Sequence, residues 1–364
     1  YNMQTDSCNH ITNALSDPFS ISDNAIYSLY KDREGGMWIG SYFGGVNYYP
    51  KQSTVFVKYY PTNNPETLQG QRVREICKGK NNILWIGTED AGLFQLDLST
   101  KEFKHYGPST QYSNIHGMCM DGDELWLGTF SKGIRVINTI TGHTKSYTAA
   151  DIPTTINDNF IFSIIKTSSG SIYIGTGIGL IKYDKQKGTF ESVPELNNNL
   201  VYDIKEDSKG NLWMATYVNG VFVYDPKNKK YEHFENSEKE GSLPYNKVLS
   251  IFEDSRKQIW LTTEGRGFCR FDAATKTFIQ YSTQQGSPSD VVYQIVEDDS
   301  GYFWITTNTG LVKFDPQTQE TKIYTVASGL LSDQFNYKSS YKTANGDIWL
   351  GCINGLISFN PQSF

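Results

Sequence analysis

The sequence predicts an all-β chain folded as a single β-propeller of eight four-stranded antiparallel blades, with seven as the alternative count. Three observations lead there. An anchor motif recurs eight times, a glycine follows each anchor at nearly constant distance, and the apolar stretches are short and alternating, with no helical periodicity of any length. The anchor is an aromatic, an aliphatic (once Met) and a small residue. It stands at Trp38-Ile39-Gly40, Trp85-Ile86-Gly87, Trp126-Leu127-Gly128, Tyr173-Ile174-Gly175, Trp213-Met214-Ala215, Trp260-Leu261-Thr262, Trp304-Ile305-Thr306 and Trp349-Leu350-Gly351. Successive anchors are 40 to 47 residues apart, and all seven tryptophans of the chain lie on this register.

Each repeat reads as four strands, A to D. Strand A is an apolar stretch such as Val248-Leu249-Ser250-Ile251-Phe252, closed by an acidic residue and a small polar turn, as in Asp207-Ser208-Lys209-Gly210. Such turns supply the positive φ that a hairpin requires. Strand B carries the anchor. Six or seven residues later a glycine opens strand C (Gly45, Gly92, Gly133, Gly179, Gly220, Gly267, Gly310, Gly355), where a missing side chain permits close backbone approach. A last apolar pair, such as Phe103 and Tyr106, marks strand D. Four strands in about 44 residues is the size of a propeller blade. The eighth repeat ends at Phe359-Asn360-Pro361 without a strand D, and Cys8 to Thr12 is expected to supply it and close the ring. The chain is thus read as one domain, residues 1–20 being the closing strand and loop and 21–364 the repeats.

Composition narrows the function. The formal net charge is −6 and no basic stripe is present, which argues against nucleic-acid binding. No apolar run is long enough for a membrane helix. The five cysteines are far apart, odd in number and free of C-x-x-C pairs, so they read as small buried hydrophobes. The five histidines lack metal-ligand spacing, and four of them fall in predicted strand D. No metal and no cofactor is expected. Acidic residues are plentiful, but most recur after strand A, where a carboxylate accepts turn N–H groups. A position repeated blade after blade reads as structural, so no catalytic residue is assigned. A carbohydrate-active propeller enzyme, with two carboxylates flanking a glycosidic bond, stands as the alternative. A purely structural scaffold stands as the second.

In a four-stranded blade the B–C and D–A connections emerge on one face. The A–B turns here are short and uniform, whereas the D–A loops vary, and function tends to lie on variable loops held by a rigid scaffold. The B–C loops offer Tyr42, Phe43, Glu89, Asp90, Phe130, Lys132, Tyr217, Glu264, Arg266 and Asn308; the starts of strand A add Arg72, Arg74, Tyr202, Tyr245, Tyr293 and Tyr337. Aromatic faces beside charged groups suit a polyhydroxylated ligand. The plainer reading of the same residues is rim packing or contact with a neighbouring domain.

The stretch Asn24-Ala25-Ile26-Tyr27-Ser28-Leu29-Tyr30-Lys31-Asp32-Arg33-Glu34-Gly35-Gly36-Met37-Trp38-Ile39-Gly40 resembles the two-component regulator propeller repeat. So does Val248 through Glu253-Asp254, Trp260-Leu261-Thr262-Thr263 and Gly267. The resemblance runs over essentially all of residues 20–364. It implies the periplasmic sensor region of a hybrid two-component system in saccharide-foraging bacteria. The chain would then be one propeller of a longer receptor, with a neighbouring propeller, a β-sandwich, a membrane helix and a histidine kinase elsewhere in it. An oligosaccharide ligand and a homodimeric receptor are implied in the same way. Phe43-Gly44-Gly45-Val46-Asn47-Tyr48-Tyr49 resembles the first blade of the second propeller in such receptors.

Overall fold

Every anchor lies in the second strand of an antiparallel sheet, so eight repeats give eight sheets. The computed structural model describes all residues except 1–6, 9, 16, 34, 51–54, 108–113, 153–157, 286 and 288. Seven sheets have four strands, and that of the first repeat has three. The three are β1 (Ile26–Lys31), β2 (Met37–Ser41) and β3 (Val46–Tyr49), followed by β4 (Val57–Tyr59). The remaining repeats form blades one to seven. Their inner strands are Val73–Lys78, Ile115–Asp121, Ile161–Lys166, Val201–Glu206, Val248–Glu253, Val292–Glu297 and Phe335–Lys342.

Each inner strand contacts the next around the circle, and that of blade seven contacts that of blade one. The repeat count of eight therefore holds, while the ring is the seven-bladed alternative. The first repeat stays outside it. Trp38 is 43% exposed, against 1% for Trp126 and 0% for Trp304, because no blades cover its sheet in this chain.

Closure works by the expected principle with a different strand. The last strand of blade seven, Gly355–Phe359, pairs with β4, Leu356 opposite Tyr59 and Ser358 opposite Val57. Cys8–Thr12 does not take this place; its described residues are not in a strand, and residue 9 lies outside the described set. The physical reason is burial. Just before β4, Phe56 is buried against Phe359, Tyr324 and Phe364 (ring centroids 5.1 to 5.8 Å), an apolar seal for which Cys8–Thr12 has no Phe, Tyr or Trp. By its position in the repeat β4 is the first repeat's own strand D, transferred to the open edge of blade seven.

Local chemistry explains the repeat. A Cβ on Gly87 would lie 2.7 Å from Ile115, and one on Gly128 2.4 Å from Ile161. The small anchor residue thus leaves room for the β-branched residue that opens the next blade. The glycine of strand C is needed for two reasons: Gly267 has φ +74°, and a Cβ there would stand 2.0 Å from the Tyr281 carbonyl oxygen. The acidic turns serve the anchor as well. Asp254 Oδ1 accepts the Arg256 and Gln258 N–H groups, and its Oδ2 accepts the Trp260 indole N–H at 3.0 Å. Asp207 with Trp213 and Asp298 with Trp304 repeat this. The acids before them act between blades: Glu253 holds the Ser208 N–H and hydroxyl of the preceding blade.

Replacing Asp254 by Ala leaves the buried Trp260 indole N–H unpaired and two turn N–H groups unsatisfied. The expected cost is about 2–4 kcal/mol, read as a lower urea midpoint. Blade seven provides the converse. Thr343 occupies the Asp position and the Trp349 indole N–H is buried without a partner. Thr343→Asp is expected to raise stability by about 1 kcal/mol in the same assay.

Of the cysteines, Cys119, Cys269 and Cys352 are buried as expected, whereas Cys77 is half-buried and Cys8 is exposed. Cys8 precedes the first sheet, which offers no core to enter.

Candidate functional site

The inner strands are not regular. In blades one to six each slips register once, leaving a single bulged residue: Arg74, His116, Phe162, Tyr202, Leu249 and Tyr293. A bulge re-aims a side chain, and bulges collect beside functional sites. These residues converge on the axis. Arg74 Nη2 donates to the Tyr202 hydroxyl at 2.9 Å, joining blade one to blade four, and such a bond forms only across the ring's centre. Phe162 stacks on Tyr202, and Tyr293 meets Tyr337 edge-on at 4.7 Å.

Blade seven departs further. Its register runs from Phe335 opposite Cys352 to Ser340 opposite Leu350, so Asn336 to Ser339 occupy a span that holds two residues in the other blades. Lys338 sits in the left-handed region at φ +48°. A strained non-glycine residue persists only where its surroundings hold it. Here its ammonium donates to the Phe162 carbonyl at 3.0 Å and lies 3.6 Å from Asp203. Tyr337 lies under the Arg74 guanidinium (4.7 Å), and Asn336 donates to Glu89.

Above this plug the B–C loops are pinned to the residue that precedes strand A. Glu89 N–H donates to the Arg72 carbonyl, Phe130 to Asn114, Tyr217 to Leu200 and Glu264 to Lys247. Loop and strand start therefore share one face, as expected. Glu89 lies 3.8 Å from both Arg72 and Arg74. The Lys247 ammonium pairs with Glu264 at 2.5 Å and lies 3.9 Å over the Tyr217 ring.

Of the sixteen candidate residues, Arg72, Arg74, Glu89, Tyr202, Tyr217, Glu264, Tyr293 and Tyr337 come together around this axial mouth, and Phe130 stands at its rim against Phe160. Arg74 is only 1% exposed, a support beneath the mouth rather than a surface group. Asp90 and Asn308 hold loops: Asp90 accepts the Gln71 and Arg72 N–H groups, and Asn308 accepts the Ser289 hydroxyl. Lys132 is exposed on its loop, and Arg266 lines an outer groove with Tyr245 and Gln280. Tyr42 and Phe43 belong to the first sheet, outside the ring, where Tyr42 stacks on Tyr27. Their repeat position matches that of the mouth residues, but their blade is not in this ring.

Lys247, Glu75, Asp203, Asn336 and Lys338 were not among the expected residues. A signal for the last two exists: inner strand to anchor spans 14 residues in blade seven, from Phe335 to Trp349, against 12 in blade one, from Val73 to Trp85.

Electrostatics of the interior follow from burial. Burial pushes the Glu75 carboxyl up to about 7 against the pull of Lys338 and Arg74, and burial also raises Asp203. Burial, then Arg74 and Lys338, pushes His116 down to about 2, so its imidazole is neutral at physiological pH. A carboxyl raised on folding gives stability that is complete below its unfolded value near 4.5 and lost as pH rises through about 7. Glu75→Gln is expected to flatten the stability profile between pH 5 and 8. It should also stabilise the ring at pH 8 by about 2 kcal/mol, measured by urea unfolding at each pH. No group of His, Cys, Asp and Glu among the described residues could hold a metal ion.

A ring of four-stranded antiparallel blades, here with a side-chain plug under a polar and aromatic mouth, is a β-propeller. The two-component regulator propeller family matches at residues 20–43, 67–90, 195–218, 242–265 and 286–309. Five of the eight repeats thus match the two-component regulator propeller repeat. A curated relative, "Histidine kinase P4" of Formosa agariphila, is 27% identical over 88% of this chain and 24% of its own length. The solved extracellular domain of the hybrid two component system BT3049 from B. thetaiotaomicron superimposes with a TM-score of 0.81 at 25% identity, covering 97% of this chain and 47% of that one. The chain thus spans about a quarter of the one and about half of the other. Virginiamycin B lyase from Staphylococcus aureus superimposes with a TM-score of 0.63 at 14% identity (83% of this chain, 97% of the lyase), a likeness of fold alone. No helix among the described residues is long and apolar enough to cross a membrane.

Proposed function

We propose that this chain is a ligand-sensing propeller in the periplasmic region of a hybrid two-component receptor, and that its axial mouth takes an oligosaccharide. The observation that carries this reading is the convergence of blades one, four, six and seven beneath the mouth through Arg74, Tyr202, Tyr293 and Tyr337. A ligand seated there touches several blades at once. It can bias the ring between two packings as far as its affinities for them differ. The kinase relative and the two-component neighbour support transmission to a histidine kinase in the same receptor, which would act as a homodimer. The chain itself is read as non-catalytic, since the repeated acids are engaged in turns and inter-blade contacts.

The first sheet gives the second half of the proposal. Tyr27, Leu29 and Val46 are all exposed on it. Their counterparts in ring blades are covered by the blades on either side, so a neighbouring propeller of the same repeat type, which this sheet completes, is the occupant that fits. The test of the sensing role is a thermal-shift screen against plant, host and fungal oligosaccharides, with product analysis of the same samples. Ligand at about 100 times its Kd should add roughly 2.7 kcal/mol to stability. A stabilised chain with intact sugar supports sensing, cleaved sugar makes the chain an enzyme, and no stabilisation by any sugar removes the mouth from the ligand pathway.

A further inference from the structure

We infer that the cleft between blades two and three, at the A–B end and so opposite the mouth, is a binding site for a small carboxylate with a flat apolar body. The repeat itself supplies the reason. In blades four, five and six the anchor indole N–H donates to an aspartate six residues earlier, at 2.9 to 3.0 Å. Blade two has lost that aspartate. Its A–B turn is a tight hairpin in which Asp121 stands opposite Glu124, and Met120 lies six residues before Trp126. The Trp126 indole N–H is accordingly buried without a partner. A buried donor of this kind gains more from an incoming acceptor than one already bonded to water.

Trp126 lines a cleft of about 280 Å³ together with Tyr147, Tyr183, Lys145, Lys185 and Asp121. The equivalent cleft between blades four and five is lined by both Trp213 and Asp207, so the repeat geometry accommodates a carboxylate beside this indole. The charges suit an anion. Asp121 accepts from both Lys166 (2.8 Å) and Lys185, one carboxylate shared by two ammonium groups. Lys166 stands where blades four, five and six place an acid (Glu206, Glu253, Glu297). Glu124 also lines the cleft, which leaves three ammonium groups, with Lys145, against two carboxylates. The rings of Trp126, Tyr147 and Tyr183, with centroids 4.8 to 6.3 Å apart, form an apolar wall for the body of the ligand. One carboxylate oxygen then accepts the indole N–H and the other a lysine ammonium. Lys145 and Lys185 are exposed on flexible stems and can move aside to admit it. Trp349 has the same orphaned N–H, but Tyr59 stacks on its ring, Lys101 covers it, and it does not line the neighbouring cleft.

The test uses the whole chain labelled with nitrogen-15 tryptophan, its indole N–H signals followed by NMR. Sodium benzoate, or neutral benzamide of the same shape, is titrated into the millimolar range, where ligands this small bind. Benzoate should move the Trp126 signal progressively downfield while the other indole signals stay. Benzamide should bind at least about tenfold more weakly, having lost the charge. The variant carrying Lys145→Met and Lys185→Met should weaken benzoate about tenfold, since it removes the charged donors. The Trp126 signal is assigned by Trp126→Phe or, where that variant does not fold, by its through-space contacts with the Tyr147 and Tyr183 rings. A Trp126 signal unmoved by benzoate, benzamide binding as tightly, or benzoate binding unchanged in the lysine variant would each overturn the inference. None of these results bears on the axial mouth.

Discussion

A chain beginning at Val55 should fold into the complete seven-bladed ring, whereas one beginning at Pro61 should not form a stable ring at all. The first truncation removes the outer sheet but keeps β4 and Phe56. The second removes both, opening the edge of blade seven and stripping the ring from Phe359, Tyr324 and Phe364. Loss of a buried Phe side chain alone costs about 3–5 kcal/mol, and the unpaired strand edge adds to it. Against a total stability of about 5–15 kcal/mol this is most of the margin. Calorimetric melting should show one cooperative transition for the Val55 form, at a temperature close to the parent's. The Pro61 form should melt tens of degrees lower or aggregate. If the Val55 form lost its cooperative transition, the outer sheet would be an eighth blade in the structural sense, and the ring assignment would be wrong.

The second large effect is expected at Lys338. Its ammonium links blade seven to the Phe162 carbonyl of blade three and to Asp203 of blade four. Lys338→Met keeps the chain length but leaves Asp203 and Glu75 without their nearest cation. Removing one partner of a buried pair typically costs about 3–5 kcal/mol. Part of that is recovered by protonating the carboxyls, so the loss should be largest at pH 8 and smaller at pH 5. Urea midpoints at the two pH values decide it. A loss independent of pH would mean that Lys338 acts through packing rather than charge.

How much of this was readable beforehand depends on the kind of signal. The anchors were legible because each fills a volume dictated by its neighbour: Gly87 is small because Ile115 stands there. The number of sheets followed directly. The number of blades in the ring did not, because the first repeat has the same local pattern as the others, and only the covering of Trp38 or its absence distinguishes them. The closing strand was misplaced for a related reason. Strand D is the least patterned of the four, and β4 looked like part of its own repeat. The mouth residues were found where they recur at strand starts and B–C loops. Arg74, Glu89, Tyr217, Glu264 and Tyr293 emerged together, but Tyr42 and Phe43 shared the position without sharing the ring. The cross-axis partners Lys338 and Asp203 come from strands far apart in sequence. Nothing local marks a lysine as spanning a ring, apart from two extra residues before Trp349.

The seam between β4 and Gly355–Phe359 has a consequence for how the protein is made. Tyr59 and Ser358, side by side at the seam, are 299 residues apart in sequence. At about 5–20 residues per second, a ribosome needs roughly 15–60 seconds to deliver the second after the first. Throughout that interval an unpaired strand and the Phe56 ring wait without their partner. Blades one to six can form in order of synthesis, since each lies within one stretch of chain. The seventh cannot form until Gly355–Phe359 arrives, so the cell must keep a short sticky strand from finding the wrong edge until then.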